Sequence, residues 1–474
     1  MRHGLYINGR TRMTDNVYTV FHKWTHEPLA EVAEASRTDI EEAVQAARQA
    51  LKTPIPVHER YRILEEAAQR LGEEKEEFAR IMAQEAGKPL RDSRGEVERG
   101  QQTLRYSSLA ARTLRGEEIP IGGNPGTGNR LAFTLRKPYG VVLAITPFNF
   151  PLNLVLHKVG PALAAGNAVI LKPAPATPLT ALKLAELLQS CGLPPGWLNV
   201  ITGAGPDAGA ALVEHPGVNL ISFTGSAAVG KIIRQAAGLK PVLLELGSNA
   251  ATIVHNDADL DSTAAILAQK AYAYAGQVCI SVQRIYVQRD IYQAFADKLT
   301  EKAAALRIGN PETEDVDLGP MIDEKSAARA MSWIEEARAG GAQVLLAGSQ
   351  SGSVVSPWLL DGVNPQAKLV AEEVFAPVAT LIPYDTLDEA INLANDSRYG
   401  LQAGIFTRSV DVAFYAARHL EVGGVIVNDS SSYRADNMPY GGVKDSGIGR
   451  EGPEQAVYEM TYPTTVVLNL KQDL

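Results

Sequence analysis

Cys279 stands in YAGQVCISVQR and is one of two cysteines in 474 residues. A thiol reacts as its thiolate, so its surroundings decide whether it does chemistry or only fills space. Here it follows a small, polar Gly-Gln pair and precedes a run that reads as a strand. Glu245 ends the apolar run of LLELGSNA, just before a glycine. A carboxylate closing a buried strand is costly to desolvate, which suits a general base of tuned proton affinity; a strand-end residue in water has the same letters. Asn149, in ITPFNFPLN, falls between a strand and a helix. Its side-chain amide could hold an oxyanion or simply make a turn. Cys191, in QSCGLPPG, reads as a structural residue at a helix end.

Three further places could grip a nucleotide. Lys172 follows AVIL and precedes Pro173, where it could hold a ribose or phosphate or remain a solvated strand end. SFTGSAAVG, ending at Gly230, joins a strand to a helix, and its glycines would let a diphosphate approach the helix N-terminus. Any tight turn gives similar letters. Glu373 and Phe375, in EEVFAPV, pair an acid with a ring, as would a loop with one buried aromatic.

The elements that must position these groups follow from periodicity. The first third reads as helical, with Thr38 and Glu41 as a capping box and Gly87 then Pro89 stopping a later helix. From Tyr139, short apolar runs (YGVVLAI, AVIL, WLNVI, VNLISF, VLLEL) alternate with helical ones. That alternation predicts an α/β fold, a parallel sheet with helices on both faces that binds ligands beyond its carboxyl ends. A second alternation begins after Glu245 and reaches GGVIVN near Asn428. The Gly- and Asn-rich stretch 121–130 reads as an excursion, and the terminal TYPTTVVLNL as a pairing strand.

Composition narrows the function class. A net charge of −9 without a dense Lys/Arg block argues against a nucleic-acid partner. No apolar run approaches the ~20 residues that cross a bilayer, so no membrane partner is expected. MRHGLYINGR lacks the pattern of a signal peptide, and the expected location is cytoplasmic. Two cysteines make no disulfide framework, and eight scattered histidines suggest no metal site.

TPFNFP, LKPA, FTGS, LELGSN, GQVCIS, EEVFAPV and PYGGVKDSGIGREG occur in this order. On these motifs the chain resembles the aldehyde dehydrogenase superfamily along nearly its whole length. The resemblance implies a Rossmann-type cofactor domain (1–115 and 136–245) and an α/β catalytic domain (246–440). It further implies a β-arm (116–135 and 455–474) that builds a homodimer or homotetramer. It makes Cys279 the nucleophile, Glu245 the general base and Asn149 the oxyanion donor, with the Cys279 backbone N–H assisting. Lys172 would bind the adenosine ribose, Gly225 and Ser226 the pyrophosphate, and Glu373 the nicotinamide ribose beside Phe375. Thr146, Pro147, Gly230 and Leu246 also fall along the implied cofactor.

The chain departs from the pattern at Pro175, where many relatives carry a ribose-binding glutamate. Without that carboxylate a 2′-phosphate meets less repulsion, so NAD or NADP is expected. NDSSSYRADNMPYGG is similar to the lactaldehyde, glycolaldehyde and sulfolactaldehyde dehydrogenase branch. That points to a small 2-hydroxy aldehyde, with Arg434 or Arg99 available for an anionic tail; a local ion pair would account equally for either. Arg284 reads as structural. Succinate-semialdehyde and non-phosphorylating glyceraldehyde-3-phosphate dehydrogenases share the machinery and remain alternatives. An acylating enzyme would lack Glu245, and a silent binding member of the fold would tend to lose Cys279 or Glu245.

Overall fold

The chain opens on strands. In the computed structural model, which describes residues 1–470, Leu5–Ile7 and Arg10–Arg12 form an antiparallel hairpin. Asn8 and Gly9 close it at positive φ (52° and 74°), the residue choice that a primed hairpin turn demands. The helical expectation for the first third therefore holds only from residue 37. There α1 (Arg37–Ala50) starts earlier than the sequence pattern predicts, and its capping box is Ser36 and Asp39, not Thr38 and Glu41. Ser36 Oγ accepts from the Asp39 N–H (3.2 Å) while Asp39 Oδ2 accepts from the Ser36 N–H (2.8 Å). Glu41 is left on the surface, where it pairs with His215. Helices α2 (Val57–Glu73), α3 (Lys75–Ala86) and α4 (Leu90–Thr113) follow, and α3 stops at a left-handed Gly87 as expected.

Strand and helix then alternate: β1 (Val141–Ile145), α5 (Asn153–Ala165), β2 (Ala168–Lys172), α6 (Leu179–Ser190) and β3 (Leu198–Val200). The chain returns through α7 (Asp207–Glu214), β4 (Leu220–Thr224), α8 (Ala227–Ala236) and β5 (Val242–Glu245). These five strands are parallel in the order β5-β4-β1-β2-β3. The order reverses between β1 and β4, so the crevice at their carboxyl ends is where such a sheet takes a ligand. All five are buried on both faces, as continuous apolar runs predict. Gly447–Ile448 extends this sheet beside β5, antiparallel to it.

A second sheet carries β6 (Ala251–Val254) and, after α9 (Leu260–Tyr272), β7 (Arg284–Gln288). These pair in parallel with β8 (Val378–Tyr384) and β9 (Gln402–Phe406) in the order β8-β7-β6-β9. The second sheet has its own apolar core on Leu267, Phe295 and Leu381. Thr461–Asn469 pairs antiparallel with Arg130–Pro138 over nine registers, as the pairing-strand reading predicts. Residues 471–474 of the expected arm lie outside the described residues.

Candidate active site

The Cys279 loop is built on strained backbone. After α9, Tyr274, Ala275 and Gly276 all take positive φ (49°, 54° and 68°). Left-handed geometry costs a non-glycine residue about 1 kcal/mol or more, so surrounding contacts must hold it. Tyr274 Oη donates to the Ala86 carbonyl (2.7 Å), and Ile322 N–H donates to Gln277 Oε1 (2.9 Å). Gly276 packs so closely on the Ala376 carbonyl that no Cβ would fit. Three residues on, Cys279 is half-buried beside Ile280, Leu401 and Tyr440.

Asn149 lies in the loop from β1 to α5, held by a buried ion pair beneath it. Glu96 Oε1 accepts from the Leu152 and Asn153 N–H groups (2.9 and 3.0 Å), and Lys88 pairs with Glu96. Asn149 Nδ2 donates to the Gln277 carbonyl (2.9 Å), two residues before the thiol. Its Oδ1 is buried without a partner among the described residues, as are Thr146 Oγ1, Thr224 Oγ1 and Glu245 Oε2.

Cys279 and Asn149 line a cavity of about 480 Å³ with Pro147, Gly225, Ser226, Leu246, Glu373 and Phe375. Thus most of the expected cofactor residues meet at the switch point of the first sheet. Ser226 caps α8 by accepting from the Val229 N–H (3.3 Å). Glu373 accepts from the Ser248 N–H (3.1 Å), and burial pushes its carboxyl up to about 7. Phe375, at φ 49°, meets Phe148 edge-on with centroids 5.9 Å apart. Gly230 packs against Leu246. Lys172 ends β2 one strand away, buried against Gly209, and Thr146 N–H donates to its carbonyl (3.2 Å). Burial lowers the Lys172 ammonium.

The residues fit a dinucleotide. The ten-residue helix α8 offers its N-terminus, Thr224 Oγ1 there has no partner among the described residues, and Gly225 to Ala228 line the cavity without bulky side chains. Glu373 adds a carboxylate that could accept from ribose hydroxyls.

Glu245 does not line this cavity. It ends β5 with its Oε1 against Gly441, where a Cβ would stand 2.8 Å away. Burial raises its carboxyl well above the usual range, and the neighbouring Glu451 adds to that. Burial works on Glu451 too, but Lys158 (2.7 Å) and Arg434 (3.1 Å) hold it ionised, at about 2. The sequence reading missed Glu451, Lys158 and Tyr440. Glu451 was inside a quoted motif, GIGREG, but only packing brings it to Lys158 of α5.

The Arg434 side chain is buried here, its guanidinium 3.7 Å over the Tyr440 ring and paired with Glu451. It does not line either cavity beside Cys279. Arg99, on α4, forks onto Asp436 (2.8 and 3.2 Å) and lines a second cavity of about 430 Å³. Phe150, Val278 and Lys270 line that cavity as well. Phe150 and Val278 adjoin Asn149 and Cys279 in sequence, so the two cavities flank the Cys279 loop. Arg284 donates to the Asn249, Leu393 and Ala394 carbonyls and is structural.

No helix among the described residues is long and apolar enough to cross a membrane. Comparison with known proteins agrees with the motif order. A model described as the aldehyde dehydrogenase family matches residues 11–466. A 3-sulfolactaldehyde dehydrogenase from Priestia aryabhattai is 52% identical, the match covering 99% of this chain and 98% of that protein. A lactaldehyde dehydrogenase from Methanocaldococcus jannaschii is 39% identical, over 98% of this chain and all of the relative. The crystal structure of an NADP-dependent glyceraldehyde-3-phosphate dehydrogenase from Bacillus halodurans, complexed with NADP, superposes with a TM-score of 0.96 at 37% identity, covering 99% of this chain and 100% of that one.

Proposed function

Because the chain belongs to the aldehyde dehydrogenase family, and is an NAD(P)-dependent oxidoreductase, we propose that it oxidises a short, anionic 2-hydroxy aldehyde of the 3-sulfolactaldehyde type through a thioester on Cys279. The observation that carries the reading is the meeting of Cys279 and Asn149 between two cavities, one fitted to a dinucleotide and one lined by Arg99 and Lys270.

The Cys279 thiolate attacks the aldehyde carbon. Asn149 has a second amide hydrogen beyond the one given to Gln277, and with the Cys279 N–H it holds the developing alkoxide. A bound nicotinamide would supply the acceptor for the hydride that leaves the alkoxide carbon as its C=O re-forms. The acyl group remains on Sγ as a thioester. Glu245 takes a proton from water, which attacks the thioester carbon; the carbon–sulfur bond breaks and the acid leaves. Glu373 would accept from the nicotinamide ribose, and Lys172 would donate to the adenosine ribose. Arg99, one face of which Asp436 fixes, presents positive charge to the tail of the substrate.

The 52% identity to a 3-sulfolactaldehyde dehydrogenase supports this tail chemistry. The assay is NAD(P)H formation with 3-sulfolactaldehyde, lactaldehyde, glycolaldehyde, succinate semialdehyde and glyceraldehyde 3-phosphate, on the native enzyme and on Arg99→Ala. We expect 3-sulfolactaldehyde to give the highest kcat/KM, and Arg99→Ala to lower it for anionic aldehydes while sparing glycolaldehyde. Equal loss for charged and neutral aldehydes would remove the anion-binding role.

We also assign the segments 116–135 and 455–474 to an oligomerisation arm. Leu131, Leu135, Val467 and Leu468 are exposed on its paired strands, which supports burial against another subunit. Size measurement in solution should give a homodimer or homotetramer; a monomer at micromolar concentration refutes the assignment.

A further inference from the structure

A nucleophilic thiol needs a partner for its charge, and burial pushes Cys279 up to about 11. Two carboxylates face it and work in the same direction: Glu245 from the end of β5 and Glu373 from the wall of the cofactor cavity. Two groups work the other way. One is the guanidinium of Arg434. The other, closer, is the hydroxyl of Tyr440, whose Oη lies 3.1 Å from Cys279 Sγ.

Tyr440 is buried and held at both its backbone and its ring. Its backbone exchanges both hydrogen bonds with Glu451 (2.9 and 2.6 Å). Its ring carries the Arg434 guanidinium at 3.7 Å, and Glu451 holds that guanidinium in turn. Burial, and then the adjacent thiol, keep the phenol protonated far above neutral pH. A phenol that keeps its proton beside an ionising thiol can only be the donor. A cation stacked on the ring draws electron density from it and strengthens the O–H as a donor.

We propose that Tyr440 is the hydrogen-bond donor that holds Cys279 as a thiolate, with Arg434 acting through the Tyr440 ring. The role rests on the reading of Cys279 as nucleophile. It also explains why a buried arginine beside the site is stacked and paired inward.

The test is the rate of Cys279 alkylation by iodoacetamide as a function of pH, followed by mass spectrometry of the Cys279 peptide, in native enzyme and Tyr440→Phe. The thiolate displaces iodide and forms a thioether, so the midpoint of the profile reports the thiol without any turnover. Losing one donor to a charged sulfur should raise that midpoint by about one unit and slow alkylation about tenfold at any pH well below it. An unchanged or lower midpoint overturns the proposal. If Tyr440→Phe does not fold, enzyme grown with 3-fluorotyrosine serves instead: its more acidic phenol is a stronger donor and should lower the midpoint. No downward shift there counts equally against Tyr440. A shifted midpoint in an enzyme that oxidises no aldehyde would sustain the hydrogen bond and refute the proposed reaction, so the two failures are separate.

Discussion

The side-chain amide of Asn149 donates to the carbonyl of Gln277 at 2.9 Å, two residues before Cys279. One hydrogen bond therefore ties the loop after β1 to the loop after α9, and fixes the proposed oxyanion donor relative to the proposed nucleophile. Asn149→Ala removes both that tie and the donor. We predict a fall in kcat of about a hundredfold or more, the usual cost of one oxyanion donor. Cofactor affinity, measured by NADPH fluorescence, should change little, because the cofactor wall on Glu373 and Ser226 is untouched. A kcat within about threefold of native would exclude the oxyanion role.

As the proposed base, Glu245 would act only in its carboxylate form, and burial together with the Glu451 charge raises its pKa. Thioester hydrolysis should then increase with pH through that raised value. Glu451→Gln removes a negative charge from beside Glu245 and leaves Lys158 and Arg434 to favour the carboxylate. The acid limb of the kcat profile should move to lower pH. The same change strands two buried cations, so stability should drop by roughly 3–5 kcal/mol in urea unfolding. An acid limb that moves up, or stays, contradicts the coupling.

Glu373 offers a second pH readout. Burial pushes it up to about 7, against its hydrogen bond from Ser248. As pH falls through 7 the carboxyl gains a proton and loses strength as an acceptor for the ribose. KM for the cofactor should rise below pH 7 while the aldehyde KM stays level. Glu373→Gln should flatten that dependence; a profile identical to the native one would exclude Glu373.

How much of this was legible in the sequence depends on the range of the interaction. Strand-end residues such as Glu245, and the Ser226 cap on α8, were readable because local pattern places them. Asn8-Gly9 was equally readable and marks the N-terminal hairpin, yet helical periodicity further on dominated that region. The α1 cap came out two residues late because Ser-Arg-Thr-Asp offers two overlapping capping patterns. Contacts across long sequence separations were not legible. Tyr440 reaches Cys279 across 161 residues, and Lys158 reaches Glu451 across 293. No periodicity announces such pairs. Arg434 shows the same limit: its loop was found, but its direction, inward onto Tyr440, is set by packing.

Pro175 follows β2 in the turn before α6, at the place where many relatives present a carboxylate to the ribose. NADP should therefore be accepted, with NAD preferred by less than about a thousandfold in kcat/KM. Pro175→Glu should shift the ratio toward NAD by about tenfold or more, through repulsion of the 2′-phosphate. A native preference for NAD above roughly a thousandfold would contradict this reading.

We propose oxidation through a thioester on Cys279 that Glu245 releases. Its most direct test is a single turnover of Glu245→Gln with 3-sulfolactaldehyde and NADP, quenched in acid and read by peptide mass spectrometry. One acyl group per active site should appear, on Cys279 and not on Cys191, with a burst of NADPH. A burst of NADPH with Cys279 unmodified would contradict it.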